Sequence, residues 1–231
     1  MEEMKNRRLL DAYIKKYHID ACFSDISLYY PHMTLARFPR RTFLYTDSEF
    51  ARYIYFMVEG RYKVYGNVDS GKRILYRFCQ AFSILGEMEF ILGPEERRDD
   101  NSVEMVEDCV ALLLDYGEIK NQLRSDPVFL FFMCENLVEK SGYFGNMQLV
   151  NNLSSAQEKV ARYLKNSSNA AGFFRENQVI AAEQLDISYR HFHRILKKFV
   201  ENGWLRRVDG GYQILEADIV SLSSREQKTE N

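Results

Sequence analysis

The residues best suited to chemistry lie towards the C-terminus. Between Ser188 and Lys197 a hydroxyl, a phenol, two guanidiniums, an imidazole and an ammonium recur: Ser188, Tyr189, Arg190, His193, Arg194 and Lys197. Interleaved with them, Phe192, Ile195, Leu196 and Phe199 repeat at three- and four-residue intervals, which marks the buried face of a helix. The polar set is therefore expected to point away from that face. Guanidiniums fork onto base edges and phosphate oxygens, and imidazoles and hydroxyls donate or accept there. This face suits contact with a nucleic acid.

Such a helix needs support, and the flanking sequence offers it. Val179–Leu185 predicts a preceding helix, with the small Ala182 where the second helix must come close. Leu185 closes the first helix, Ile187 plugs the turn, and Ser188 is a good N-cap for the second. Gly203 ends that helix. Trp204–Leu215 predicts a β-hairpin turning at Asp209-Gly210-Gly211, with Arg206 and Arg207 on its first arm. Two helices, a tight turn and a hairpin make a winged helix-turn-helix. The charge agrees: Ser155–Leu215 holds ten Lys or Arg against six Asp or Glu, in a chain of net charge −2. A locally basic module attracts phosphates without making the whole chain adhesive.

Upstream the pattern differs. Leu9, Leu10, Tyr13, Ile14 and Tyr17, at three- and four-residue spacing, predict that residues 5–30 are helical. Short β-rich runs follow at Thr34–Arg37, Thr42–Tyr45, Tyr53–Val58, Tyr62–Tyr65, Ile74–Phe78 and Ser102–Leu114, with turn residues between them. Many short strands at near-regular spacing predict a small β-roll or barrel. A helix of about 25 residues is then expected, because Leu130, Leu137 and Phe144 lie seven apart and lay an apolar seam along one side. That seam is expected to join two copies, and the run Val128–Cys134 is apolar on all sides, enough to face both the roll and a partner. A shorter helix is expected around Val160–Leu164, a loop at Asn166–Gly172, and a frayed polar tail at Ser221–Asn231. The expected class is α+β: residues 1–117 an N-terminal helix with a β-roll sensor domain, 118–153 a dimerisation helix, and 154–231 the winged helix-turn-helix.

Other chemistries find little support. Cys22, Cys79, Cys109 and Cys134 are scattered without a C-x-x-C pair, so neither a zinc site nor a disulfide framework is expected. Cys109 and Cys134 sit in apolar runs and read as core residues; Cys22 and Cys79 leave a redox role open. A metal-dependent cupin-like enzyme would need several histidines converging in the barrel, and no His stands between His32 and His191. No nucleophile elbow, phosphate loop or zinc-peptidase motif occurs. No catalytic residue, metal or cofactor is therefore expected. With no run of about 18 apolar residues and no apolar core near Met1, a cytoplasmic location without membrane contact is expected.

The chain resembles the Crp/Fnr family of bacterial transcription regulators. Ile187-Ser-Tyr-Arg-His-Phe-His-Arg-Ile-Leu196 carries the resemblance most specifically, with Phe82-Ser-Ile-Leu-Gly-Glu-Met-Glu-Phe90 and Cys109-Val-Ala-Leu-Leu-Leu114 supporting it. Gly86-Glu-Met-Glu89 and Ser188-Tyr-Arg-His191 look most like the YeiL-type branch. The resemblance implies a cyclic-nucleotide-binding-like jelly roll that senses a small-molecule effector. It also implies a homodimer through the long helix, inverted-repeat double-stranded DNA as target and RNA polymerase as partner. It places Arg190, His193 and Arg194 at the bases, with Tyr189 a further candidate. A regulator answering to a partner protein, with no small molecule, stays open beside it.

In cyclic-AMP-binding members a Gly-Glu pair and an Arg-Ser pair hold the ligand. Gly86-Glu87 matches the first. The second falls on Asp99-Asp100, and two carboxylates repel a phosphate. A shift of one or two residues would offer Arg97 or Arg98. Residues Gly86–Glu118 hold eleven acidic side chains and only those two basic ones, which also disfavours an anion. Cyclic nucleotide is thus not the expected effector, and Glu87 is expected to bond loop backbone.

Overall fold

The computed structural model describes residues 1–44, 52–67, 73–92 and 101–230. The chain divides into two compact units, Met1–Val64 with Tyr76–Phe144, and Tyr65–Leu75 with Gly145–Asn231.

The first unit opens with strand β1 (Glu2–Met4) and helix α1 (Arg7–Lys16). Helix does not continue to residue 30 as the periodicity predicts. His18 takes a left-handed conformation at φ 52, which stops it, and three single 3₁₀ turns follow at Ile19–Cys22, Ile26–Leu28 and Tyr30–His32. Then come β2 (Met33–Phe38), β3 (Phe43–Leu44), β4 (Tyr53–Glu59), β5 (Arg61–Asn67), β6 (Arg73–Gln80), β7 (Ser83–Leu85), the short helix α2 (Glu87–Leu92), β8 (Asn101–Met105) and β9 (Cys109–Asp115). The Ser102–Leu114 stretch is thus two strands, separated at residues 106–108.

These strands form two sheets, one ordered β1-β2-β9-β4-β7 and the other β3-β8-β5-β6. β9 lies in the middle of the first, antiparallel to β2 and β4, and reads as a continuous buried run from Cys109 to Leu114. Its side chains alternate between two cores. Leu112 and Leu114 join Ile54, Phe56 and Ile84 on one side; Ala111 and Leu113 join Tyr55, Met57 and Tyr62 on the other. Burial on both faces explains why the strand lacks polar alternation.

Helix α3 (Lys120–Arg124) leads into the long helix α4 (Pro127–Leu153). Phe129 and Met133 are buried in the roll's core cluster, with Leu130 and Phe132 packed against it. The N-terminal segment holds the start of α4. Phe23 stacks on Phe129 at 5.3 Å, and the Asp126 carboxylate accepts bonds from Ser24 N (3.0 Å), Ser24 Oγ (2.6 Å) and Tyr29 Oη (3.0 Å). Asp126 also accepts from the first free amides of α4, Val128 N and Phe129 N.

The second unit contains α5 (Ala156–Ser167), β10 (Phe173–Phe174), α6 (Gln178–Gln184), α7 (Tyr189–Glu201), β11 (Leu205–Val208), β12 (Gly211–Ile214) and α8 (Ile219–Glu230). A reciprocal capping box of Ser155 and Glu158 starts α5. The tail is helical rather than frayed, because α8 packs on α5. Ile219 and Ser223 are buried, and Ser224 donates to Glu158. Among the described residues no helix is long and apolar enough to cross a membrane.

Candidate nucleic-acid interface and sensor site

Helix α7 is fixed from three directions. At its start Ser188 accepts from His191 N at 3.2 Å. On its inner face Phe192, Ile195, Leu196 and Phe199 are buried. At its end Gly203 takes φ +77, Gly203 N reaches Val200 O and Trp204 N reaches Phe199 O, while the Phe199 and Trp204 rings lie 5.3 Å apart. That pair of bonds with its apolar contact is a Schellman stop.

The turn into α7 uses the same device. Asp186 takes φ 53, Asp186 N reaches Glu183 O, and Ile187 N reaches Ala182 O. Aspartate tolerates the left-handed region better than most residues. Ala182 is buried against α7 as its size predicts, and Ile187 is half-buried in the turn. α6 is seated by polar contacts as well: Tyr163 Oη lies 2.6 Å from Glu176 and 2.8 Å from Gln184.

This scaffold leaves Ser188, Tyr189, Arg190, His193, Arg194 and Lys197 exposed together on α7. The Tyr189 and His193 rings sit 5.9 Å apart, and Tyr189 is 47% exposed. Lys197 is 3.6 Å from Glu201, both open to water, a pairing too weak to hold the cation. In the wing, β11 and β12 pair in register, with Val208 opposite Gly211. A Cβ at Gly211 would sit 2.0 Å from the Phe174 carbonyl oxygen, so only glycine lets β10 lie against the hairpin. Arg206 is exposed and donates to Gln213 Oε1 at 2.6 Å, while Arg207 is exposed beside it.

In the roll, Gly86 turns with φ +96, and a Cβ there would meet the Tyr53 carbonyl oxygen at 2.3 Å. This turn sets Glu87 as the first residue of α2. Among the described residues the partner of Glu87 is a side chain and not the loop backbone that was expected. Glu87 is buried and receives an ion pair from Lys140 on α4, whose ammonium also donates to Ile84 O at 2.7 Å. Nothing in the sequence around Lys140 marks it for this pairing, since its partner lies 53 positions away. Arg97, Arg98, Asp99 and Asp100 lie outside the described residues.

The cysteines divide differently from the sequence expectation. Burial pushes the thiols of Cys22 and Cys109 up to about 12, which makes them poor thiolates. Burial also raises Cys79, against the opposing pull of the nearby Arg77 and Lys140 cations. Cys134 is exposed rather than in the core. The long helix also presents a different outward stripe. Leu130 packs on the roll and Leu137 is half-buried, whereas Val128, Phe131 and Val138 face solvent; the Phe144 side chain lies outside the described set.

Comparison with known proteins agrees with this geometry. Residues 35–126 match the cyclic nucleotide-binding domain family. The regulatory protein YeiL of Escherichia coli O157:H7 is 27% identical over 198 residues, which is 85% of this chain and 88% of that protein. A Crp/Fnr-family structure from Eubacterium rectale superposes with a TM-score of 0.73 at 13% identity, covering 86% of this chain and 93% of the other. The c-di-GMP responsive regulator CLP of Xanthomonas campestris gives 0.63 at 16% identity, covering 83% and 98%. A roll of the cyclic-nucleotide-binding type, a long helix and a winged helix-turn-helix define a class of regulatory protein. The chain is thus similar in sequence to one such regulator and in fold to solved Crp/Fnr-family structures.

Proposed function

We propose that this protein is a homodimeric transcription regulator that reads an inverted-repeat DNA site through α7 and senses a signal in its β-roll. One observation carries the proposal. Helix α7 is capped, stopped and packed on its inner face, yet Tyr189, Arg190, His193, Arg194 and Lys197 stand together in solvent beside a wing bearing Arg206 and Arg207. A fold has no need to gather donors and cations so; a duplex does. Arg190, His193 and Arg194 are assigned to base edges, and Ser188, Lys197, Arg206 and Arg207 to phosphates. The family resemblance supports RNA polymerase as a further partner and the cytoplasm as the place of action. No catalytic role is proposed. Among the described residues no group of three His, Cys, Asp or Glu is placed to hold a metal.

Selection of bound duplexes from random DNA, followed by a mobility shift on the enriched site, tests this reading. An enriched palindrome bound by a species with two chains supports it. Binding without sequence enrichment overturns it.

A further inference from the structure

The Lys140–Glu87 pair joins α4 to α2, which also meet through the Phe90 and Phe129 rings, 5.5 Å apart. Lys140 lies on α4; Glu87 starts α2 directly after the Gly86 turn, and Ile84 on β7 takes a second bond from the same ammonium. The side chains are 15% and 6% exposed. Withdrawing two ions from water costs several kcal/mol each unless they meet, so neither side chain tolerates the loss of the other. The contact is therefore specific in a way that apolar packing is not.

Its position along α4 adds to this. Asp126 fastens the start of the helix to Ser24 and Tyr29. Lys140 fastens it again fourteen residues on, about 21 Å along the axis. Two residues later comes Gly142, exposed and with open space around its α-carbon. The boundary between the compact units falls shortly after, between Phe144 and Gly145. Each glycine weakens a helix relative to alanine, because its backbone loses more freedom on ordering. The ion pair thus holds the last turn before the intrinsically weakest part of α4.

We infer that Lys140 and Glu87 form a latch that fastens α4 to the roll, and that this latch sets the DNA affinity of the protein. Lys140 acts here as a positioning residue that works through the helix it holds. The inference rests on the DNA-binding reading given above. Its physical consequence is that an event at Glu87, on the roll, becomes an event on α4.

The test uses the full-length chain with Lys140→Gln, Glu87→Gln and the charge exchange Lys140→Glu/Glu87→Lys. Hydrogen exchange is followed over residues 134–144, and affinity is measured on the selected duplex. Each single variant is expected to speed exchange there and to shift affinity in the same direction by about fivefold or more. The charge exchange is expected to bring both back towards wild type. If the exchanged pair melts early, the Lys140→Gln/Glu87→Gln double variant replaces it. That variant must then lose less than the two single losses combined. Affinities within about twofold of wild type in both single variants overturn the latch, even if exchange rises, because the pair would then be merely structural. A wild-type chain that binds no duplex refutes the DNA-binding reading instead, and exchange alone then decides whether the pair holds α4.

Discussion

Phe131 and Val138 stand seven residues apart on α4, and both are open to solvent, at 66% and 72% exposure. On a helix that spacing returns to nearly the same face. Cys134 is exposed three residues after Phe131, so the three follow the alternating three- and four-residue steps of a two-helix seam. A second copy of α4 laid parallel would cover them. The expected outcome is a dimer of about twice 27.3 kDa in sedimentation at micromolar concentration. Val138→Glu should weaken it more than Leu137→Glu, since charge in a desolvated seam lacks a partner. Mild oxidation should link two chains through Cys134, and Cys134→Ser should abolish the link. A dimer that persists without crosslinking would return the seam to the face of Leu130 and Leu137.

How far the sequence revealed this protein depends on the range of each interaction. The winged helix-turn-helix was legible because its determinants are local. The Ser188 cap, the Phe192–Phe199 periodicity and the Gly203 stop all lie within sixteen residues of one another. The Lys140–Glu87 pair spans 53 positions and the Ser24–Asp126 bonds span 102. Neither pair has a local pattern to mark it. Lys63 is another case: it lies among the apolar residues of β5 and is buried with Glu104 at 3.3 Å, a partner 41 positions away. The seam shows a subtler limit. A seven-residue repeat names a helix face but not what covers it, and here the roll takes Leu130. Helix α8 was missed because its polar tail is held by contacts to α5 and not by its own composition.

Asp126 should make stability depend on acidity. Burial raises its carboxyl, but bonds from Ser24, Phe129 and Tyr29 outweigh that and hold it below the ordinary aspartate range. A carboxylate depressed in the folded state adds stability above its unfolded value, about pH 4, and loses it as pH falls through the folded value. Asp126→Ala should cost about 2–4 kcal/mol at pH 7, since it removes a helix cap and strands the Ser24 and Tyr29 donors. The gap between wild type and Asp126→Asn in urea denaturation should narrow below about pH 4. A gap that stays constant from pH 7 to pH 3 would show that the charge contributes nothing.

The roll should not hold cyclic AMP tightly, although its sequence matches the cyclic nucleotide-binding domain family. Glu87 is engaged by Lys140, and Asp99-Asp100 occupy the positions at which the resemblance would put the phosphate's Arg-Ser pair. Titration calorimetry with cyclic AMP and cyclic GMP should give no Kd below about 100 μM, or roughly −5.5 kcal/mol. Micromolar binding lost on Arg97→Ala or Arg98→Ala would mean that one of those guanidiniums reaches the phosphate.

The two sets of cations in the second unit should fail differently when removed. Arg190 projects from the first turn of α7 and Arg194 from its middle, and the fork of a guanidinium can take both acceptors of a guanine edge. Losing either should cost about 1–3 kcal/mol and relax preference at one position of each half-site. Arg206 and Arg207 lie in the wing, and Gln213 already holds one arm of Arg206 to the neighbouring strand. A side chain so tethered suits a fixed phosphate better than a choice among bases. Arg207→Ala should therefore weaken all duplexes alike and reduce the salt dependence by about one ion per half-site. With two copies of α7 entering successive major grooves, half-site centres should lie about 10–11 base pairs apart. Selection on random DNA gives the spacing, and salt titrations of each variant sort the contacts. If Arg190→Ala and Arg194→Ala both leave every base preference unchanged, α7 grips the backbone and the sequence is read elsewhere.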